Sequence, residues 1–596
     1  MHDVVRDFAH WLTSKGENRF MVKDGLKEWP NVGERLGSCT YTAMALWNCS
    51  CLDHFPKTVE YPKLKTLFLN GEGSRQVLST DFGEMKALQV LFLSGFCFSL
   101  EGLQSLTNLR TLCCANCRLE NMSSLRNMTR LEILALIGTD IIPEESVELP
   151  TLKSLFLYHE YQKKHFPPNL LSRLTSLQEL HVMSKNNINL VELSSLSRLT
   201  SLTLQVSSDG WFNENFVLPE LQRIWELESS CRATATLQNL KEVTIEGCHK
   251  LKVIFPPCLA PRLPSLESVE LWNCPQLKQV FRPTEERDII GNQIVLNLPS
   301  LRKLSVRNFP KLECFIVQSQ QMEELVLDDV GNGCQLCRIG VPMLNQDCMV
   351  VGNHEEVFRV QGGLYSFSSI KVVELQNLYE VRIVWKDLGG VVTLDNLTTL
   401  CLCDCKRLRY VFTPSIARSL SRLVNLYIRT CEELEGIILG MDQVPSSSNV
   451  DTSLQPITFP NLTSIEVTFC NNLKSLLPLG SATSLQQLKR LEVESNMKLE
   501  QLFEAEEEIK FDKLERLGLA DMPCLIDFCP KGYHFVFPGL SYMGVRRCPK
   551  MTASFFIDSK QIVHYKTEKE TQGSTPNAIH DKNIYWVKGG HEILEE

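Results

Sequence analysis

Apolar residues recur along this chain in one short phrase: leucine, two residues, leucine, one residue, leucine, with polar residues filling most of the gaps. It reads LKTLFL from Leu64, LQVLFL from Leu88, LRTLCC from Leu109, LEILAL from Leu131, LKSLFL from Leu152, LQELHV from Leu177 and LTSLTL from Leu199. It returns as LKEVTI from Leu240, LESVEL from Leu266, LRKLSV from Leu301, MEELVL from Met322, IKVVEL from Ile370, LTTLCL from Leu397, LVNLYI from Leu423 and LTSIEV from Leu462. The series closes with LKRLEV from Leu488, LERLGL from Leu514 and LSYMGV from Leu540, which makes eighteen copies. Alternation inside each copy puts its apolar side chains on one side of a short strand, and a single strand cannot bury that side alone.

Stacked copies bury it in a continuous core, so the period predicts an α/β repeat fold, a leucine-rich-repeat solenoid. The expected form is a curved parallel sheet with an irregular or short-helical convex side. Three residues past the last strand apolar stand Cys248, Cys274, Cys405, Cys431, Cys470 and Cys548, where a small thiol fits a crowded turn and can donate weakly to a carbonyl of the neighbouring repeat. Second phrases such as PQLKQVF after Cys274 and KRLRYVF after Cys405 are expected to close the convex side. RSLSRLVNL and ATSLQQLKRL read as short helical turns with serine caps. Loop-like stretches at 282–297, 331–366 and 440–456 predict excursions, residues 208–236 hold no clean copy, and the chain after Met551 turns polar and loses the pattern.

Length and charge narrow the classes. A chain of 596 residues exceeds one compact core, which an elongated array accommodates. A net charge of -9 gives no electrostatic reason to bind nucleic acid, and no run of 18 apolar residues predicts a membrane span. The first residues, MHDVVRDFAHWLTSK, lack a secretory apolar stretch, so the 23 cysteines are expected to be reduced thiols of a cytoplasmic protein.

The first forty residues differ from the repeats. Val4, Val5, Phe8, Ala9 and Leu12 have helical spacing, a strand-and-turn linker follows, and YTAMALWNC from Tyr41 is the first possible repeat. The opening MHDVVRDFA resembles the MHD motif that ends the nucleotide-binding NB-ARC module of plant disease-resistance proteins, and GLKEWPNVGERLGSCTYTAMALWNC resembles the linker into their repeats. Repeats with a turn cysteine followed by a phrase such as CPQLKQVF resemble the coiled-coil branch of that nucleotide-binding, leucine-rich-repeat family. The resemblance divides the chain into residues 1–40 as the end of an NB-ARC-like module, 41–551 as the repeat domain and 552–596 as a polar tail. It implies that His2 contacts the phosphates of ADP or ATP, with Asp3 as its structural neighbour, when a nucleotide module is supplied. It also implies a repeat domain that folds back on that module, restrains it, and senses pathogen effectors or modified host proteins. Membrane or nuclear association would then come through partners. No GxxxxGK[ST] phosphate loop occurs here, so this chain by itself is expected to hold no cofactor.

Other chemistry finds little footing. In CLCDC, alternation gives Cys401 and Cys403 one outward face while Cys405 takes the turn position, which offers two thiolates at most. The CxxC pairs Cys114/Cys117 and Cys334/Cys337 lack a second pair at zinc-ribbon spacing, and neither HExxH nor GxSxG occurs. Neither a metal site nor an enzyme is expected. The sequons at Asn48, Asn121, Asn127, Asn396 and Asn461 are read as chance occurrences.

Binding is expected on the concave sheet face, where the residue between the last two strand apolars points outward. That position holds Phe68, Phe92 and Phe156, with Tyr158 one register further, and later Glu270, Glu374, Glu466 and Glu492, with Tyr427, Arg429 and Trp272 nearby. The pattern predicts an aromatic N-terminal half and an acidic C-terminal half, contacting proteins. The alternative reading is a leucine-rich-repeat adaptor or scaffold, such as a ubiquitin-ligase substrate adaptor, with no immune role.

Overall fold

The computed structural model describes residues 19–25, 41–49, 61–71, 77–78, 82–120, 122–139, 149–159, 169–184, 190–205, 238–248, 251, 253–255, 263–277, 279–281, 289–290, 293–312, 315–319, 321–330, 356–366, 369–439, 457–477, 485–503, 511–528, 534–551, 553–567 and 583–588. The amphipathic helix expected at the start, His2 and Asp3, and the stretches 208–236 and 440–456 lie outside the described residues.

Two compact units form, Met1–Leu266 and Glu267–Glu596. In the first, ten strands run parallel: β1 (Arg19–Asp24), β2 (Tyr41–Cys49), β3 (Thr66–Gly71), β4 (Val90–Ser94), β5 (Thr111–Ala115), β6 (Ile133–Ile137), β7 (Ser154–His159), β8 (Glu179–Ser184), β9 (Ser201–Gln205) and β10 (Glu242–Glu246). In the second, ten parallel strands follow: β11 (Ser268–Trp272), β12 (Lys303–Phe309), β13 (Glu324–Val330), β14 (Val372–Gln376), β15 (Thr399–Cys403), β16 (Asn425–Arg429), β17 (Ser464–Thr468), β18 (Arg490–Glu494), β19 (Arg516–Ala520) and β20 (Tyr542–Arg546). Within each unit every strand pairs with the next in sequence, and every one of the eighteen sequence copies supplies one rung. The apolar phrase is the core. Leu514, Leu517 and Leu519 are fully buried, as are their counterparts Leu64, Leu67 and Leu69.

The strands end on a shared backbone device. Asn116, Asn273, Asn308, Asp329, Asn377, Asp404, Ser495 and Asp521 have φ between 48° and 62°, and Gly95, Gly138 and Gly247 occupy the same place. This left-handed residue turns the chain away from the sheet, and Asn, Asp and Gly adopt it at least cost. Thr430, Phe469 and Arg547 adopt it too, with φ of 51° to 57°. The cysteine that follows is buried. In Cys274, Cys431, Cys470 and Cys548 the thiol donates to the carbonyl two residues back in its own rung at 3.4–3.5 Å. Cys117 and Cys405 also reach the preceding rung, at Leu93 O (3.5 Å) and Leu375 O (3.6 Å). The described cysteines are free thiols.

Several expectations are corrected. The ladder begins in the linker, because β1 pairs with β2 and covers it. Residues Glu356–Ser366, expected in an excursion, form an eleven-residue strand paired with Ile383–Thr393, and Gln293–Asn297 pairs with Phe315–Gln318. The helical turn in the 26-residue repeat sits at Pro414–Ala417, capped by Thr413 rather than a serine. The tail, read as polar and without the repeat pattern, nonetheless carries strands. A last strand, β21 (Asn583–Val587), runs antiparallel beside β20 and buries Ile584 and Trp586. Ala553–Ile557, Val563–Thr567 and His534–Phe537 form a further antiparallel sheet. Its core is aromatic: Tyr565 stacks edge-on to Phe528 at 4.7 Å and to Phe555 at 5.1 Å, and its hydroxyl bonds to Asp527.

Candidate protein-recognition face

Parallel pairing converts sequence positions into columns, with register shifts at Arg19/Phe20 and between Leu46 and Cys49 in the first rungs. The residue between the last two strand apolars forms one column on the outward face, flanked by the residues two before and two after it. In the first unit the middle column runs Val22, Ala45, Phe68, Phe92, Cys113, Ala135, Phe156, His181, Thr203 and Thr244. The expected aromatics are therefore outward, but they do not form one row. Phe68 and Phe92 are in contact, with ring centroids 5.4 Å apart. Phe156 stands two small residues away and stacks on His181 at 4.5 Å with the rings 2° from parallel. Tyr158 lies in the next column, between Ile137 and Met183. His181 was not singled out in the sequence, although LQELHV places it at the same position as Phe156. Its burial against the ring lowers its pKa, and Glu179 and Glu242 oppose that shift.

The larger apolar feature lies at the start of this unit, in the strand of the linker and the first possible repeat, whose residues were not singled out for contact. Phe20, Val22 and Trp47 are 44%, 40% and 40% exposed. Register sets Phe20 beside Ala43, Val22 beside Ala45, and Ala45 beside Phe68. An apolar patch thus runs from Phe20 and Val22 across two alanines to the Phe68–Phe92 pair. Isolated exposed apolar residues are ordinary, whereas a contiguous patch of aromatics marks a contact surface. The available signal was the alternation in RFMVKD, one strand's worth of period two.

In the second unit the middle column holds Glu270, Ser305, Val326, Glu374, Cys401, Tyr427, Glu466, Glu492, Gly518 and Gly544. All four expected glutamates are on it, yet the face is not acidic. Lys303 bridges Glu270 (2.9 Å) and Glu324 (3.3 Å). Arg307 meets Glu374 at 3.5 Å and lies 6.0 Å from the ring centre of Trp272. Arg429 pairs with Glu466 at 2.5 Å, and Glu492 is held between Arg490 (2.6 Å) and Arg516 (2.5 Å). Cations on the same rung or one or two rungs away match the carboxylates, so the surface is a ladder of paired opposite charges. Burial pushes the Glu492 carboxyl upward, but the two arginines outweigh it and hold the group below the usual glutamate range. Tyr427 lies between Cys401 and Glu466, and the buried indole N–H of Trp272 finds no acceptor among the described residues. Beyond Glu492, Gly518 leaves room for the Glu492 side chain and Gly544 for the Tyr542 ring, over which Arg516 sits at 4.1 Å.

Cys401 and Cys403 share the outward face as alternation requires. Burial, with neighbouring acids, pushes their thiols to about 11 and about 12, so they are protonated at neutral pH. Among the described residues no group of three His, Cys, Asp or Glu side chains could hold a metal ion, and no helix is long and apolar enough to cross a membrane.

The repeats with their turn cysteines and outward columns define a leucine-rich-repeat protein. Comparison with known proteins places it more narrowly. The family described as plant disease resistance protein RPS2-like, leucine-rich repeats, matches residues 137–275, 218–327, 346–432 and 449–497, together more than half of the chain, and the chain belongs to that family. Similar curated proteins come from Arabidopsis thaliana. Disease resistance protein At4g27190 is 29% identical over 81% of this chain and 48% of its own length. Disease resistance protein UNI is 25% identical over 55% of this chain and 44% of its own, and the putative disease resistance protein At4g19050 is 25% identical over 82% and 42%. The chain therefore spans about half the length of the relatives it matches.

Proposed function

We propose that this chain is the ligand-reading repeat part of a plant disease-resistance receptor, acting by binding proteins rather than by catalysis. The observation that carries the reading is the patch formed by Phe20, Val22, Trp47, Phe68 and Phe92, an apolar area left in water on the outward face of the first unit. Covering it returns about 25 cal/mol per Å² of apolar surface. In the family arrangement this end of the repeats docks the nucleotide-binding module in cis and restrains it. His2 and Asp3 would belong to that module, which would also hold the ADP or ATP. The charge ladder of the second unit would meet a pathogen effector or modified host protein, because paired opposite charges give specificity through mismatch penalties more than through raw affinity.

The test is capture of a separately expressed nucleotide-binding module from a family member by the full chain. Val22→Ser, Phe68→Ser and Phe92→Ser combined should weaken capture at least tenfold while leaving the buried leucines and the circular dichroism spectrum unchanged. Undiminished capture would overturn the docking assignment. Reversing Glu374 and Glu466 to Lys addresses the second unit: recognition of a known ligand unchanged by both reversals would remove that face from the reading.

A further inference from the structure

The edge of the first sheet where its strands begin carries a different chemistry from its outward face. The residue before each strand forms a column there: Gln89, Arg110, Glu132, Lys153, Gln178 and Thr200, tied rung to rung by backbone bonds such as Arg110 N to Gln89 O at 2.8 Å and Gln178 N to Lys153 O at 2.7 Å. A second column, two residues earlier, includes Arg130 and Arg198. Between them lies an open depression of about 400 Å³ lined by Arg110, Arg130, Lys153, Arg198 and the single carboxylate Glu132.

Four cations face one acid in a chain whose net charge is -9. Glu132 engages two of them, Arg110 at 3.1 Å and Lys153 at 2.8 Å. The other two remain available to a ligand. Arg130 donates only to the neutral Asn108 Oδ1 at 2.7 Å, and Arg198 is exposed with no side-chain partner among the described residues.

We infer that this edge is a binding site for an acidic polypeptide segment in extended conformation, separate from the outward face. Spacing favours a peptide over a compact oxyanion. Arg130 precedes β6 and Arg198 precedes β9, three rung steps apart, or roughly 14 Å at about 4.8 Å per step. Carboxylates four residues apart on an extended chain are separated by about 13 Å at 3.3 Å per residue. A single phosphate would need both guanidiniums to converge on one group, as bidentate recognition requires. Between the two arginines the floor is neutral, formed by Pro150, Thr151 and Ser176. Thr151 fixes it by donating to Thr129 O and Leu131 O, both at 2.9 Å.

The experiment titrates the full chain into a fluorescein-labelled twelve-residue Gly/Ser peptide carrying glutamate at every fourth position, followed by anisotropy at 50 and 200 mM NaCl. A peptide with glutamine in place of glutamate is the control. The glutamate peptide should bind, more weakly at high salt, and Arg130→Glu with Arg198→Glu should raise the Kd about tenfold, as expected for reversing two rim charges. Lys513→Glu, on the second unit, should leave it unchanged. Both variants alter exposed side chains, and circular dichroism checks that the ladder is retained. Equal binding of the glutamine peptide, or an unchanged Kd in the double variant, overturns the inference. So does tight binding of inositol hexakisphosphate at this edge with no binding of the glutamate peptide, which would make it a phosphate site.

Discussion

Asn496 takes the backbone N–H of Cys470 on its Oδ1 at 2.7 Å, and its own Nδ2 donates to Val467 O at 3.0 Å. It occupies the turn position that cysteine holds in the rungs before it, and it is fully buried. One amide thus satisfies a donor and an acceptor that the ladder leaves open between two rungs. Asn496→Leu keeps the volume but strands both groups, each costing about 1–3 kcal/mol. Urea denaturation should show a loss of at least about 2 kcal/mol, and a variant as stable as the parent would contradict this role.

Glu192 works in a similar way in the first unit. Its carboxylate, on the next rung, accepts from the backbone of Asn169 (2.7 Å), Leu171 (2.9 Å) and Ser172 (3.3 Å), tying down the short helix Leu170–Arg173. Bonds to a charged acceptor are the stronger kind. Glu192→Ala should cost about 2–3 kcal/mol and speed hydrogen exchange at Leu171 before the rest of the unit, with Glu192→Gln intermediate.

Gly138 has φ of +61°, and a Cβ there would lie 2.3 Å from Asn116 Oδ1. Gly138→Ala combines a left-handed backbone cost of about 1–2 kcal/mol with displacement of that amide. A thermal melt should show a clear drop in Tm. Retention of the parental Tm would mean that this turn relaxes freely.

The sign of the Glu492 shift sets a pH dependence. A carboxylate whose folded pKa lies below its unfolded value, near 4.3, contributes stability that is complete above pH 4.3 and disappears as pH falls through the folded value. Between pH 5.5 and pH 3 the parent should therefore lose more stability than Glu492→Gln. Parallel pH profiles for the two proteins would show that Arg490 and Arg516 do not bias the group.

Much of this was legible because three leucines at fixed spacing specify both a strand and the side it buries. Leu488, Leu491 and Val493 could be assigned inward from the sequence, and Glu492 outward. What Glu492 meets could not, since Arg516 comes from the next rung and their contact exists only once register is fixed. The same holds for Glu466 and Arg429, 37 residues apart in sequence, and for Phe156 and His181. The first strand was read only as part of a strand-and-turn linker, and the last was missed, for another reason. Phe20 and Val22, like Ile584 and Trp586, show alternation without the leucine phrase, and so short an alternation is a weak signal. His2 and Asp3 rest on the family resemblance alone.

The last described strand, β21, runs against the direction of β20 and so of the parallel rungs of the second unit. A stack of parallel strands is like a crystal face, able to accept another layer of the same polarity from any chain that offers one. The reversed layer fills the edge of β20, so no further repeat can add to that rung in the parallel sense, and its buried Ile584 and Trp586 cover apolar surface that an open rung would leave to water.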